Sequence, residues 1–400
     1  MIKKILYITS IDISMPKGPS VNEREFMWSL NDRFHENAHF LIPEPERSVP
    51  EIDGYHKTFL VKINNKQPLT FLHHQIDLYR KGSCLLQNNA YDLIVTRIEL
   101  LSIGLFFLLR KFRIPYAIKH LSGYPRNYLK AQKGIKLIAG RIIAPLEEKL
   151  MPWFAQKAIA ADACTEGHIN GALSNLNLDR NKIILIDNAT NIDRFSPRDK
   201  HDARNKCGLS HFNPIVGFVG GRPWERGGME MLSVAPHLIR KYPRIGFVIV
   251  GGGQGMNGLM REVEMNGLKA YFSFPGVVSY DDVTEYINSF DIGIAFDKPA
   301  HIGTIGNSNQ KIRQYIACGK PVLTTPGGSE FVVEKGLGSI IDIGDIEQIT
   351  RELIHWLSLN DLEKQAHEQI AIDYARNYLS VAKALEKRLE FWNRKLDIKN

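Results

Sequence analysis

Cysteine is scarce. The 400 residues hold four, Cys84, Cys164, Cys207 and Cys318. They are far apart and form no CxxC pair, which argues against a disulfide framework and against a thiolate metal site. Long hydrophobic runs are lacking as well: the longest, residues 100–109, falls well short of the roughly 20 that a spanning helix needs. The apolar stretch behind Met1, Ile2, Lys3 and Lys4 is too short for a secretory signal and reads as a strand. These absences lead us to expect a reducing, cytoplasmic setting, with any membrane contact made peripherally on the inner face of the cell membrane. Acidic residues are outnumbered, 43 against 51 Lys+Arg, for a net charge of +8. That excess suits an anionic partner such as nucleotide phosphate, phospholipid or nucleic acid, and does not choose among them.

What is present is globular: 44% of residues are hydrophobic, and the length suits two domains better than one. Short apolar runs alternate with helical patterns. Residues 5–9, 38–42, 92–96, 115–118 and 183–186 read as strands, with helical spacing at Phe26, Leu30 and Phe34 and over 100–109. A polar linker at 197–204 follows. The rhythm then restarts with strands at 215–219, 247–250, 292–296 and 322–325. We expect two doubly wound α/β domains, with a ligand cleft between them at the carboxyl ends of the strands. The domains expected are residues 1–200 and 201–373. The tail 374–395 reads as one helix with Leu379, Ala382, Leu385, Leu389 and Trp392 on one face.

Glycine turns carry the chemistry. Residues 253–258 spell GxGxxG after a strand. A dinucleotide site is one reading and a plain loop into the next helix the other; the following strand near 271–274 lacks the ribose-holding acid that the first would need. Residues 220–228 (GGRPWERGG) put Arg222 and Arg226 behind a strand, and the forked guanidinium suits diphosphate oxygens. Solvated surface arginines are the plainer alternative. Residues 303–308 precede a helix that Asn307 or Ser308 could cap, leaving free amides to favour phosphate. That helix, 311–322 (KIRQYIACGKPV), ends at Gly319 and turns through Lys320 and Pro321 into a strand.

This last segment resembles the signature of the GT4-like (group 1) glycosyltransferases, as does 186–197 (IDNATNIDRFSP) near the domain junction. The resemblance implies a GT-B fold, two Rossmann-like doubly wound domains with a C-terminal helix (374–400) crossing back to the N-terminal one. It also implies a retaining transferase taking a sugar from a nucleotide diphosphate to a glycan or lipid-linked acceptor, as in bacterial-type surface polysaccharide or glycolipid assembly, with no cofactor and no essential metal. By the same resemblance, Arg222 and Arg226 grip the donor diphosphate. Gly221, Gly253, Val277, Gly306, Asn307, Ser308 and Gln314 line the donor. Gly18, Asn22, Arg97 and Asn188 lie on the acceptor side, and His120 borders the sugar. The family's Glu-x7-Glu pair is missing, its two positions being Gly306 and Gln314. A catalytically weak binding protein, a partner subunit or a sugar-nucleotide epimerase therefore stays open as an alternative. Lys130, Lys133, Lys136 and Arg141, interleaved with Ile135, Ile138, Ile142 and Ile143, suit either an anionic membrane surface or an ordinary surface helix with a buried stripe. They lack the interleaved aromatics of a nucleic-acid platform.

Overall fold

The computed structural model describes the chain except residues 16, 50–51, 53, 56, 63–69, 100–101, 122–134, 298–307 and 398–400, and except the side chains of 70–72 and 135–144. The chain forms two compact units. The first holds residues 1–15 and 19–187 and takes back the chain from Ala384 onward; the second is built on Asn188–Lys383, and so includes the polar stretch 197–204.

Among the described residues the first unit has seven strands: β1 (Ile5–Ile8), β2 (Ala38–Pro43), β3 (Lys57–Val61), β4 (Leu93–Thr96), β5 (Tyr116–Ile118), β6 (Ala160–Ala163) and β7 (Ile183–Leu185). All pair in parallel, in the order β3-β2-β1-β4-β5-β6-β7. A parallel sheet needs helices on both faces, which is why β1 and β4 are buried throughout and, but for Thr96, apolar rather than alternating. The helices are α1 (Gly18–Phe34), α2 (Thr70–Asn88), α3 (Ile103–Phe112), α4 (Ile135–Lys157) and α5 (Glu166–Leu176). Two of these strands, β3 and β6, are not among those expected from the sequence; β3 reads KTFLV, an apolar run like the others. Strand β6 reads AADA, and its buried Asp162 breaks any apolar run.

Among the described residues the second unit has six parallel strands, in the order β10-β9-β8-β11-β12-β13. They are β8 (Ile215–Val219), β9 (Gly246–Val250), β10 (Phe272–Gly276), β11 (Ile292–Ala295), β12 (Val322–Thr324) and β13 (Gly338–Ile340). Its helices are α6 (Lys200–Lys206), α7 (Gly228–Lys241), α8 (Met256–Met265), α9 (Tyr280–Ser289), α10 (Gln310–Ala317), α11 (Phe331–Glu334), α12 (Ile346–Leu357) and α13 (Asp361–Tyr374). Both sheets reverse their winding once, between β1 and β4 and between β8 and β11. Ligands of open α/β sheets bind beyond the carboxyl ends of the strands at such a switch point.

Two paired glycines seat the elements there. Gly217 of β8 faces Gly293 of β11. A Cβ on Gly217 would lie 2.1 Å from the Phe290 ring, and one on Gly293 would lie 2.4 Å from the Tyr315 ring. The rings therefore rest directly on the sheet. Tyr315 belongs to α10, and its hydroxyl accepts a hydrogen bond from the Val219 amide at 2.8 Å. This contact fixes α10 against the end of β8.

The C-terminal helix differs from expectation. The helical tail is interrupted at Ser380, which is extended, because Thr190 pairs with it: the Thr190 amide donates to Leu379 O (2.8 Å) and the Val381 amide to Thr190 O (3.1 Å). A last helix, α14 (Val381–Asp397), then starts afresh. Ala382 is exposed, and the buried stripe runs instead through Ala384, Leu385, Arg388 and Trp392. Leu385 and Trp392 join the core around Tyr7, Phe26 and Phe40.

Candidate functional site

In the second unit the carboxyl ends of β8, β9 and β10 form a glycine floor. A Cβ on Gly251 would meet the Gly220 carbonyl at 2.2 Å, so side chains are excluded where the two loops touch. Gly221 lies against the Gly252 carbonyl, and Gly252 lies against Val277, whose side chain is exposed. The GxGxxG stretch is explained by packing: Cβ atoms on Gly255 and Gly258 would stand 2.5 and 3.1 Å from Trp224. The bulky Trp224 thus fills the space those glycines leave, and the dinucleotide reading has no support from this geometry.

Arg222 sits at the end of this floor in a left-handed conformation, φ 58° and ψ 51°. A side chain held there costs about 1–2 kcal/mol. Its side chain is 53% exposed, and its guanidinium lies 3.6 Å from Glu225. Arg226 follows one short turn later, with its Nε 3.2 Å from Asp297, the buried carboxylate just beyond β11.

Helix α10 supplies the opposite wall. Asn309 is its N-cap and makes no side-chain cap bond; its amide group turns to Asp297 instead. The cap is therefore one or two residues later than Asn307 or Ser308, since the first helical turn is set by the seating of Tyr315. Ser308 is positioned by Asn188, whose backbone amide donates to Ser308 Oγ (3.2 Å) and whose side chain donates to Ser308 O (2.6 Å). Asn188, expected on the acceptor side, here belongs to the second unit and holds the approach to α10. Gln314 is buried on the same helix.

Lys311, one turn before Tyr315 on the same face, is the residue that motif reading passed over. It is 8% exposed, its Nζ stands 4.1 Å from the centre of the Phe218 ring, and a Cβ on Gly220 would be 3.4 Å from that Nζ. Among the described residues its ammonium group has no hydrogen-bond partner. Burial, reinforced by Arg226 and opposed by Asp297, pushes its pKa down to about 7.

In the first unit, a charge cluster occupies the ends of β1, β4 and β5. Glu23 of α1 is fully buried. Its carboxylate accepts from Tyr7 Oη, from Arg97 Nη1 (3.0 Å) and from Lys119 Nζ (2.7 Å). Asn22 also accepts from Lys119, and Arg97 reaches Glu99 at 3.0 Å. Burial lowers the Lys119 pKa to about 8 against the pull of Glu23. Next to it, Asp162 of β6 takes both arms of Arg388 from α14, at 3.0 and 2.9 Å, and the His120 amide at 3.2 Å. His120 follows β5 with φ 55°. Its burial, together with Arg97, Lys119, His168 and Arg388, keeps its imidazole neutral at physiological pH.

The structure thus brings Gly221, Val277, Arg222, Arg226, Ser308 and Gln314 into the second unit's switch point, with Gly253 on the adjoining loop. It brings Asn22, Arg97 and His120 to that of the first. Gly18 opens α1, with open space where a Cβ would stand. Gly306 and Asn307 lie outside the described residues, as do Lys130 and Lys133 and the side chains of Lys136 and Arg141. Sequence reasoning did not find Lys311, Asp297, Lys119, Asp162 or Arg388. A Lys placed four residues before the Tyr that faces a strand glycine was the one available signal for Lys311.

Residues 213–358, within the second unit, match the family Glycosyl transferases group 1. A D-inositol 3-phosphate glycosyltransferase of Corynebacterium urealyticum is 23% identical over 208 residues, 49% of this chain and 48% of that protein. The match thus spans about half the length of the curated relative. Among solved structures, Alr3699/HepE of Anabaena, in complex with UDP and glucose, superposes with a TM-score of 0.71 at 16% identity, covering 98% of this chain and 100% of that one. The sucrose-phosphate synthase of Thermosynechococcus elongatus gives 0.71 at 17% identity, with 99% and 100% covered. The fold is GT-B.

Proposed function

We propose that this chain is a glycosyltransferase that takes a sugar from a nucleotide diphosphate donor and passes it to a glycan or lipid-linked acceptor. The convergence of Arg222, Arg226 and the start of α10 on one glycine floor carries this reading. Glycine lets a diphosphate approach the backbone, a helix start favours its negative charge, and Arg groups can engage two oxygens at once. The exposed Val277 at the same floor offers an apolar surface for the base. That the solved Alr3699/HepE binds UDP and glucose supports the same ligand class here.

In the step we envisage, the bond between the sugar's anomeric carbon and the diphosphate oxygen breaks. A new bond forms to an acceptor hydroxyl oxygen on the same face, and the hydroxyl proton passes to the departing diphosphate. Negative charge grows on the leaving group, and preorganised cations aimed at it are the natural source of rate; Arg222 and Arg226 fill that role without a metal. His120, neutral and at the end of β5, would border the sugar and could donate or accept one hydrogen bond. Glu23 is a poor nucleophile, since Tyr7, Arg97 and Lys119 already occupy it. The setting we propose is cytoplasmic assembly of surface polysaccharide or glycolipid.

The absence of the family's carboxylates at Gly306 and Gln314 favours a second reading, a nucleotide-sugar-binding protein with little turnover. A thermal-shift panel of UDP, GDP, ADP, CMP and dTDP with their sugars comes first, because a ligand of the native state raises its apparent stability. We expect one diphosphate series to raise Tm. Acceptor-dependent release of that nucleotide would then support the transferase; binding without any release would favour the second reading, and no stabilisation by any member would remove both.

A further inference from the structure

We propose that Lys311 is a further donor-positioning residue, whose buried ammonium group beside Gly220, without a hydrogen-bond partner among the described residues, contacts the donor's diphosphate. This rests on the donor reading above and goes beyond the arginine pair on which that reading was built.

The geometry sets Lys311 apart from the two arginines. Arg222 already faces Glu225 and Arg226 already faces Asp297. Lys311 is 8% exposed, and among the described residues nothing accepts from its Nζ. Burying an ammonium group without a partner is costly, and such groups are either neutralised or kept for a ligand. The position of Nζ points to the ligand. A Cβ on Gly220 would stand 3.4 Å from it, and Gly220 begins the floor on which the diphosphate is proposed to lie. The seating of Tyr315 on Gly293, with its hydroxyl bonded to Val219, holds Lys311 one turn away at the strand end.

The charged groups facing Lys311 are Arg226, from the loop after β8, and Asp297, from the end of β11. Strand β8 offers only the Phe218 ring and backbone. On α10 itself, burial pushes the Tyr315 hydroxyl pKa up, which keeps it neutral, and Arg313 turns away to the Phe331 ring. Without donor, burial and Arg226 outweigh Asp297, so much of Lys311 is neutral above pH 7. A diphosphate brings negative charge and restores the ammonium form, so binding takes up a proton.

The test uses the full chain and the nucleoside diphosphate that stabilises it most among UDP, GDP, ADP and dTDP. Calorimetric titration at pH 7.5 in Hepes and in Tris, which differ in ionisation enthalpy, counts the protons exchanged. Wild type should take up roughly 0.5 to 0.9 proton more than Lys311→Met; protonation of the nucleotide itself is common to both proteins and cancels. Lys311→Met should weaken diphosphate binding tenfold or more and change binding of the free nucleoside less than twofold.

The variant should fold. A lysine whose folded pKa is depressed from 10.5 to about 7 costs stability in full below pH 7, where it is charged in both states. That cost fades as pH rises from 7 towards 10.5. Lys311→Met should therefore match or exceed wild type in Tm, with the largest margin at pH 6. Equal proton counts and equal diphosphate affinities in the two proteins would overturn the proposal while leaving the donor reading intact. Failure of every diphosphate to bind wild type would overturn both.

Discussion

Arg222 holds a left-handed backbone that costs about 1–2 kcal/mol, whereas glycine in its place would lose about 0.5–1 kcal/mol of chain entropy on folding. Arg222→Gly should therefore be neutral to slightly stabilising, by up to about 1 kcal/mol, in urea unfolding, and should still weaken nucleoside diphosphate binding far more than binding of the free nucleoside. Equal loss for both ligands would remove Arg222 from the phosphate site. At this scale the arginines were legible because glycines bracket them at a strand end. Lys311 was not, because its surroundings come from Phe218 and Gly220 at the end of β8, about 90 residues back in the chain. Neither was the Glu23 cluster: its cations, Arg97 and Lys119, stand at the ends of two different strands, and only the sheet order brings them together.

At the scale of elements, α14 shows how one helix serves both packing and charge. Leu385, Arg388 and Trp392 share a face. Trp392 is fully buried in the core around Tyr7 and Phe40, and Arg388 neutralises Asp162 on β6. Trp392→Ala should cost about 3–5 kcal/mol, read as faster hydrogen exchange of the β1 and β4 amides, with β8 and β9 unchanged. Unaltered exchange in β1 would mean that the helix contributes little to that core. The helical periodicity of this tail was readable. Its interruption at Ser380 was not, since it is imposed by pairing with Thr190, far back in the chain. Strand β6 escaped for a related reason: AADA is a plausible strand only when Arg388 arrives to meet Asp162. Strands β1, β4, β8, β9 and β11 were legible because buried parallel strands are continuous apolar runs.

For the molecule as a whole, the net charge of +8 is compatible with anionic donors, and no helix among the described residues is long and apolar enough to cross a membrane. The chain builds two switch points of similar plan, and their chemistry differs. That of the first unit is closed on itself, with Glu23 and Asp162 each answered by cations. That of the second leaves the Lys311 ammonium group without a hydrogen-bond partner among the described residues, beside a glycine floor. We therefore propose that the donor binds the second unit. Hydrogen exchange read by mass spectrometry, with and without the stabilising nucleotide sugar, tests this most directly. Slowed exchange at residues 220–228 and around the start of α10, 308–312, is the predicted result. Protection confined to the loops after β1, β4 and β5 of the first unit would contradict it.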